Sequence, residues 1–531
     1  MKKVFVFFAL GGAISFQLSA KQYNINDFGA TADSAVLSTK EIQKAIDACS
    51  ENGGGQVLVP AGYYQTGSLV LKSNVDFHLE AGAVLLGSRR LDDYAKLKPE
   101  YVSLRTQEAT IQLIYAENSE NISISGHGVI DGRGNGFPKL TWDDEGITRP
   151  HLLRFITCNR VTVKDVTLRN SGCWMQHYLA CENLQIFNVQ IFNRNNFNND
   201  ALDLDGCRNV IVSGLIADSD DDGITLKSTS PKLCENITIA GCVISSRCNA
   251  IKLGTETNGG FRNISISGCV VKPSEIQATP FFGREKGIAA IALEIVDGGV
   301  LENVSVSDII VDGTESPIFI RLANRARTYK KGVVVDKVGR IHAVTLHNIR
   351  IRNAGKTGCS ITGLPSHPVT GIRLSNIVVE QAEGGAREDI SAQIEEKAAE
   401  YPEATMFGTL PAYGFYIRHA ENITFDGVEL ATANEDARPA LFLDDVKNGI
   451  FGKMELAGGK ETKAAIWLTN SKHITIKESV LKGQTASFIK AEGDNNREVL
   501  VVNNVLAGAL HTFLPEQQSK NVVDVGNIKQ K

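Results

Sequence analysis

The chain has 531 residues, a formal net charge of −5, 22% charged residues and 49 glycines. That length exceeds what one compact core usually supports, so the chain is either several domains or one elongated repeat. The mild acidity argues against a nucleic-acid binder, and the wealth of Gly, Val, Ile, Thr and Asn favours β-structure with frequent turns.

At the N-terminus, Lys2 and Lys3 precede an apolar run from Val4 to Leu18, and Leu18-Ser19-Ala20 suits a cleavage site. This pattern predicts a signal peptide over 1–20. The run is shorter than the ~20 residues a membrane span needs, and no cysteine follows it to carry a lipid. No later segment suits a span. The mature chain, 21–531, is expected to be secreted or periplasmic, with a charge of −7 (−5 − 2).

Residues of about 22–60 suit an N-terminal cap. Ile42, Ala45, Ile46 and Cys49 follow helical spacing, Ser38 with Glu41 forms a capping-box pattern, and Gly53-Gly54-Gly55 ends the helix. Beyond the cap the chain repeats itself. Asn followed by alternating apolar residues recurs at Asn121, Asn183, Asn209, Asn236, Asn263, Asn303 and Asn422. Each unit is a short strand with one buried face, too short to bury that face alone. Stacked units share a continuous core, the logic of a solenoid. Cys181, Cys207 and Cys234, and then Cys242 and Cys269, recur at 26- or 27-residue gaps. They are expected as stacked buried thiols, with disulfides the other possibility.

Asp200 and Asp222 are 22 residues apart (222 − 200), and each is followed by a small residue and then apolar, polar, apolar. Coiling at that period stacks them, with Asn249 next in the column. Leu202, Leu204, Ile224, Leu226, Ile251 and Leu253 are expected to point inward. Asp203, Asp205, Thr225, Lys227 and Lys252 then point outward. A bend at Ala201, Gly223 and Ala250 has to turn the acids outward as well. Stacked carboxylates repel and persist where a function or a cation holds them. Asp203, Asp205, Asp218 and Asp220 are expected to be a calcium-type or solvated acidic cluster.

This pattern suits glycosidic bond hydrolysis, in which a protonated carboxyl donates to the leaving oxygen and a carboxylate activates water. Asp221, displaced along the chain, is the candidate acid against Asp200 and Asp222. Lys252, Asn249, Arg321, Arg325 and His177 are the candidate substrate-binding residues, with Trp174 beside His177. Further on, Arg387 to Tyr401 suits a helix ended by Pro402, within an insertion over about 386–413 that interrupts the repeat and lies over one face.

The run Asn198-Asn-Asp200-Ala-Leu-Asp-Leu-Asp-Gly-Cys-Arg-Asn-Val, followed by Asp221-Asp222-Gly-Ile-Thr-Leu-Lys-Ser, resembles the polygalacturonase family, glycoside hydrolase family 28. Tyr23-Asn-Ile-Asn-Asp-Phe-Gly-Ala, Val59-Pro-Ala-Gly-Tyr-Tyr-Gln-Thr-Gly-Ser68 and Gly126-His-Gly-Val-Ile-Asp-Gly132 are similar to the same family, so the likeness covers most of 22–310. It implies an all-β, single-stranded, right-handed parallel β-helix, the pectin lyase-like solenoid. It also implies inverting hydrolysis of pectic polysaccharide, with Asp221 as general acid and Asp200 and Asp222 holding and deprotonating water.

The chain departs from the family pattern twice. Arg247-Cys248-Asn249-Ala250-Ile-Lys252 replaces the usual Gly-His-Gly coil, and Ile291-Ala-Leu-Glu294 stands where Arg-Ile-Lys is usual. It therefore resembles divergent bacterial members acting on rhamnogalacturonan or another decorated acidic glycan. The expected partner is a polysaccharide or oligosaccharide, with no nucleic acid, metal or cofactor called for, and the chain is expected as a monomer. Two other readings stay open. One is a calcium-dependent lyase or epimerase with Lys252 as base and the Asp cluster as calcium site. The other is a non-catalytic glycan-binding solenoid.

Overall fold

The computed structural model describes residues 21–139, 149–275, 283–390, 393–513 and 522–529. The signal-peptide pattern over 1–20 lies outside them. No helix among the described residues is long and apolar enough to cross a membrane.

All the described strands join one sheet, and strands of successive coils pair in parallel. A typical coil holds three short strands, such as Leu202–Asp205, Arg208–Ser213 and Ile216–Ser219. The chain is a right-handed parallel β-helix. Its repeat follows from alternation. Leu184, Val210, Ile237, Ile264 and Val304 pair in one inward column, all buried. Each such residue contributes about 1.5–3 kcal/mol by leaving water.

The asparagine of the repeat has a separate role. Asn183, Asn209, Asn236, Asn263 and Asn303 all adopt the left-handed conformation, with φ between 55° and 58°. Asn tolerates this bend better than other residues with a side chain. Their amides form a ladder: Asn209 donates to Asn183, Asn236 to Asn209, Asn263 to Asn236 and Asn303 to Asn263. The cysteines stack as expected and all ten are free thiols. Cys207 Sγ donates to the Tyr178 carbonyl and Cys234 Sγ to Leu204, both at 3.1 Å, one coil back.

Helix α1, Thr39–Glu51, covers the first coil with Ile42, Ala45, Ile46 and Cys49 buried. Its N-terminus corrects one expectation. Ser38 makes no side-chain capping bond, because its hydroxyl accepts from the Thr31 backbone N–H instead. The helix expected over Arg387–Tyr401 is also corrected: among the described residues, α2, Arg387–Ile390, is the helical part and 393–401 are not helical. The solenoid captures the loop's carbonyls before a helix can use them. Arg418 Nη1 donates to the Ile394 carbonyl, Arg321 Nη2 to Glu396, and the Asn324 backbone N–H to Ala398.

The strands that carry the site run up one face: β1, Leu202–Asp205; β2, Ile224–Ser228; β3, Asn249–Thr257; β4, Ala289–Ile295; and β5, Ile318–Leu322. Their register places Asp203, Thr225, Lys252, Ala292 and Phe319 in one outward column.

Replacing Asn236 tests the ladder. Asn236→Ala removes two amide bonds and the residue suited to that backbone, and is expected to cost about 1–3 kcal/mol. Asn236→Gly keeps the backbone freedom and is expected to cost less. Urea midpoints for both variants check the order.

Candidate active site

Asp200 and Asp222 precede β1 and β2, and Asp221 lies beside Asp222. The turn is built by backbone bonds between coils: Ala201 N–H donates to the Asp222 carbonyl and Gly223 N–H to Asn249. Gly223 is needed there, since a Cβ would sit 2.5 Å from the Ala250 carbonyl oxygen. All three acids line a cavity of about 330 Å³ on the outer face. The bend expected at the small residues is therefore present.

Asp222 is held by a cation and an amide. Lys252 Nζ lies 3.0 Å from its Oδ2, and Oδ1 accepts from Asn249 Nδ2 at 2.8 Å and from the Asn249 backbone N–H at 3.1 Å. Burial opposes its charge, yet Lys252, Lys227 and Asn249 together hold the carboxyl below the usual carboxylate range. Asp221 accepts one backbone N–H, from Asp222, at 2.9 Å. Burial, then the Asp222 charge, pushes the Asp221 carboxyl up to about 7. Two adjacent acids of the same type thus have opposite proton affinities. Burial, with Asp203 and Asp221 nearby, pushes Asp200 well above its usual range.

Lys227 sits among carboxylates, 3.5 Å from Asp203, 3.8 Å from Asp200 and 3.8 Å from Glu256. Burial works against its charge, but Asp203, Glu256 and Asp200 keep it protonated. Its ammonium lies 4.7 Å from the Trp174 ring centre, and the Arg105 guanidinium 4.9 Å from it. Arg105 also meets Glu256 at 3.1 Å. The other wall comes from the loop. Tyr401 OH accepts from Lys252 Nζ at 3.3 Å and Thr255 Oγ1 at 2.9 Å, and Glu403, Thr405 and Arg284 also line the cavity. Ala404, Met406 and Phe407 pack on Cys248, Ile288, Ala289, Ala292 and Phe319, which seats the loop against the face.

Several expected residues do not reach the cavity. His177 is fully buried behind Trp174, with Nε2 3.1 Å from Asp205 Oδ2, and burial holds its imidazole down at about 4. It is a structural histidine. Arg321 is buried and bonds Thr362, Gly363 and the Glu396 carbonyl, so it fastens the loop. Arg325 pairs with Asp297, and its guanidinium lies 5.9 Å from the Tyr401 ring, behind the wall. Asn249 is buried and acts on Asp222. Lys252 does line the cavity.

The expected acidic cluster is corrected too. Asp205 is buried and accepts from Thr229 N–H and Oγ1 at 2.8 and 2.6 Å. Asp203 is buried beside Lys227. Asp218 and Asp220 pair with Arg194 and Arg247 at 3.0 and 3.2 Å. None is a freely solvated acid. Asp221, Asp222 and the Cys248 thiol bring ligand atoms within 4.8 Å of one another. A thiol is a poor donor for calcium, and Lys252 already occupies Asp222.

Sequence reasoning missed Arg105, Tyr401 and Glu403. Nothing local in the sequence marks them, because each enters from an irregular segment. Glu256 had a signal: Gly254 inside a strand, where the pairing of β2 with β3 shifts register.

The model for glycosyl hydrolases family 28 matches residues 49–399. The chain belongs to this family. A probable polygalacturonase of Vitis vinifera is 30% identical over 219 residues, covering 39% of this chain and 45% of that protein. An exo-poly-alpha-D-galacturonosidase of Dickeya chrysanthemi is 29% identical over 251 residues, covering 38% and 41%. The chain thus spans less than half the length of these curated relatives. The solved family 28 exopolygalacturonase of Yersinia enterocolitica shares the fold, with a TM-score of 0.64 at 20% identity, over 81% of this chain and 78% of that one.

Asp221, Asp203 and Glu294, with values of about 7, 8 and 8, hold protons well above the ~4 of unfolded acids. Through these three groups the folded chain binds more protons than the unfolded chain between about pH 4 and 8, and the stability they contribute falls as pH rises through that window, while His177, held down at about 4, works the other way below about pH 6.5. The urea midpoint is expected to drop from pH 4.5 to 8, with Asp203→Asn flattening part of the drop. A midpoint flat in the native chain would show that these carboxyls ionise freely.

Proposed function

We propose that this family 28 chain is an exported glycoside hydrolase that cleaves pectic or related acidic polysaccharide by an inverting acid/base mechanism. The substrate is of the polygalacturonan or rhamnogalacturonan type. The single observation that carries this is the split between Asp221 and Asp222, adjacent acids of which one keeps its proton near neutrality and the other does not.

In this reading Asp221 gives its proton to the glycosidic oxygen as the bond to the anomeric carbon breaks. Asp222, kept ionised by Lys252, takes a proton from a water that attacks the opposite face of the sugar. Oxygens of Asp221 and Asp222 lie within 4.8 Å, which is less than the ~6.5–9.5 Å carboxyl separation usual for inversion. Asp200, the third acid lining the same cavity, is the group left to position that water.

The lyase reading is less well supported. A lysine base has to lose its proton, whereas Asp222 keeps Lys252 charged despite burial. The loop wall at Tyr401 and Glu403 blocks one direction along the face, which favours attack at a chain end. Export is supported by the pattern of residues 1–20.

Asp221→Asn is expected to lower kcat by about 10²–10⁴-fold with the fold retained. Product mass should show one added water, and proton NMR of the first-formed product should show the inverted anomer. Unsaturated products would sink the hydrolase. Activity is expected to decline as pH rises through about 7, where Asp221 loses its proton. Lys252→Met should move the acidic limb of kcat/KM to higher pH, because only Lys227 and Asn249 then oppose the effect of burial on Asp222. An unmoved limb would dismiss Asp222 as the ionised base.

A further inference from the structure

We propose that the chain carries a second saccharide-binding groove, selective for uncharged sugar units, on the catalytic face beyond the loop. The outward column through Lys252 continues past Phe319 to Ser360, Tyr416, Phe442 and Trp467. At ~4.8 Å per coil, Tyr416 and Phe442 stand roughly 19 and 24 Å from Lys252 along the axis. They line a separate cavity of about 530 Å³, within the ~300–1,000 Å³ of ordinary ligand sites.

The floor is aromatic. Phe442 is partly exposed. Trp467 backs it with a near-parallel ring, 5.7 Å away at 16°, and Tyr416 meets it edge-on at 5.8 Å. The exposed part of Phe442 between these two rings offers an apolar surface to the C–H groups of a sugar. The rim is polar on both sides. Gln393, Glu395 and Glu396 come from the loop, and Asp444, Thr469 and Asn470 from the solenoid. An aromatic ladder that merely filled space between coils would not need a polar wall or leave a cavity.

The charge of the groove selects the ligand class. Among the described residues that line it, the one cation, Arg418, is already bound by Glu396 and, at 3.3 Å, by Asp444. With Glu395 the lining has three acids against one base, a net −2. A sugar carboxylate is repelled there, while sugar hydroxyls find acceptors. The catalytic cavity and this groove are separated by the loop, so one polymer with an acidic backbone and neutral branches could engage both. That last step rests on the reading under Proposed function, but the groove's own affinity does not.

The test uses the full chain carrying Asp221→Asn, so that no probe is consumed, and calorimetric titration with neutral galactan and arabinan oligosaccharides and with oligogalacturonate. A neutral oligosaccharide is expected to bind, and Phe442→Ala to weaken it at least tenfold. In the otherwise native chain, Phe442→Ala should leave turnover of a short acidic oligosaccharide unchanged. Glu395→Lys, on an exposed loop position, guards against misfolding: it should weaken discrimination against oligogalacturonate at the groove. No binding of either neutral probe, binding indifferent to both substitutions, or oligogalacturonate bound as tightly through Phe442 would each overturn the proposal. If the native chain hydrolyses no pectic oligosaccharide but neutral binding remains sensitive to Phe442, the groove stands and the hydrolase reading falls.

Discussion

Strict parallel register between coils is the constraint on which the rest of the structure depends. Once Leu202, Ile224, Ile251, Ile291 and Ile318 stack inward, every neighbour in the sequence has a fixed face. Apolar columns supply the core. The same register forces outward polar groups into columns, where like charges meet at strand spacing. The site is a product of that forced stacking. Asp200 and Asp222 repel because the fold gives them no freedom to move apart.

What makes the stacking tolerable is a set of buried cations set among the acids of neighbouring coils. Lys227 serves Asp200, Asp203 and Glu256, and Lys252 serves Asp222. Such pairs add little net stability, since desolvation opposes the attraction. Their effect is to decide which carboxylate is charged. Asp222 has a lysine at 3.0 Å and a bound amide, whereas Asp221 has one backbone N–H. That difference in contacts separates two otherwise equivalent acids.

The loop is the element that converts an open face into a cavity. A bare β-helix offers a ridge of outward side chains. Residues 393–413 lie across it, and the face is divided into the acidic cavity on one side and the aromatic groove on the other. Arg321 and Arg418 anchor the loop through its carbonyls. Arg321, expected from the sequence to bind substrate, is thereby committed to structure, and Arg418 is held by ion pairs with Glu396 and Asp444.

The solenoid, its capping helix and the inward columns were legible in the sequence because period-2 alternation and the recurring Asn are local signals that one backbone geometry satisfies. The 22-residue spacing likewise placed Asp200 and Asp222 in one column. The burial of His177, the commitment of Arg321, the structural pairing of Asp205 and the wall formed by Tyr401 and Glu403 were not legible. Each depends on which distant segment covers an outward position. The helix expected over Arg387–Tyr401 failed for the same reason, since local propensity lost to carbonyl partners on the solenoid. The sequence by itself determined which residues face inward and which outward, because that follows from alternation between neighbours. Only the tertiary structure decided which outward residues meet solvent, ligand or a covering loop, because desolvation and charge pairing depend on groups far apart in the chain.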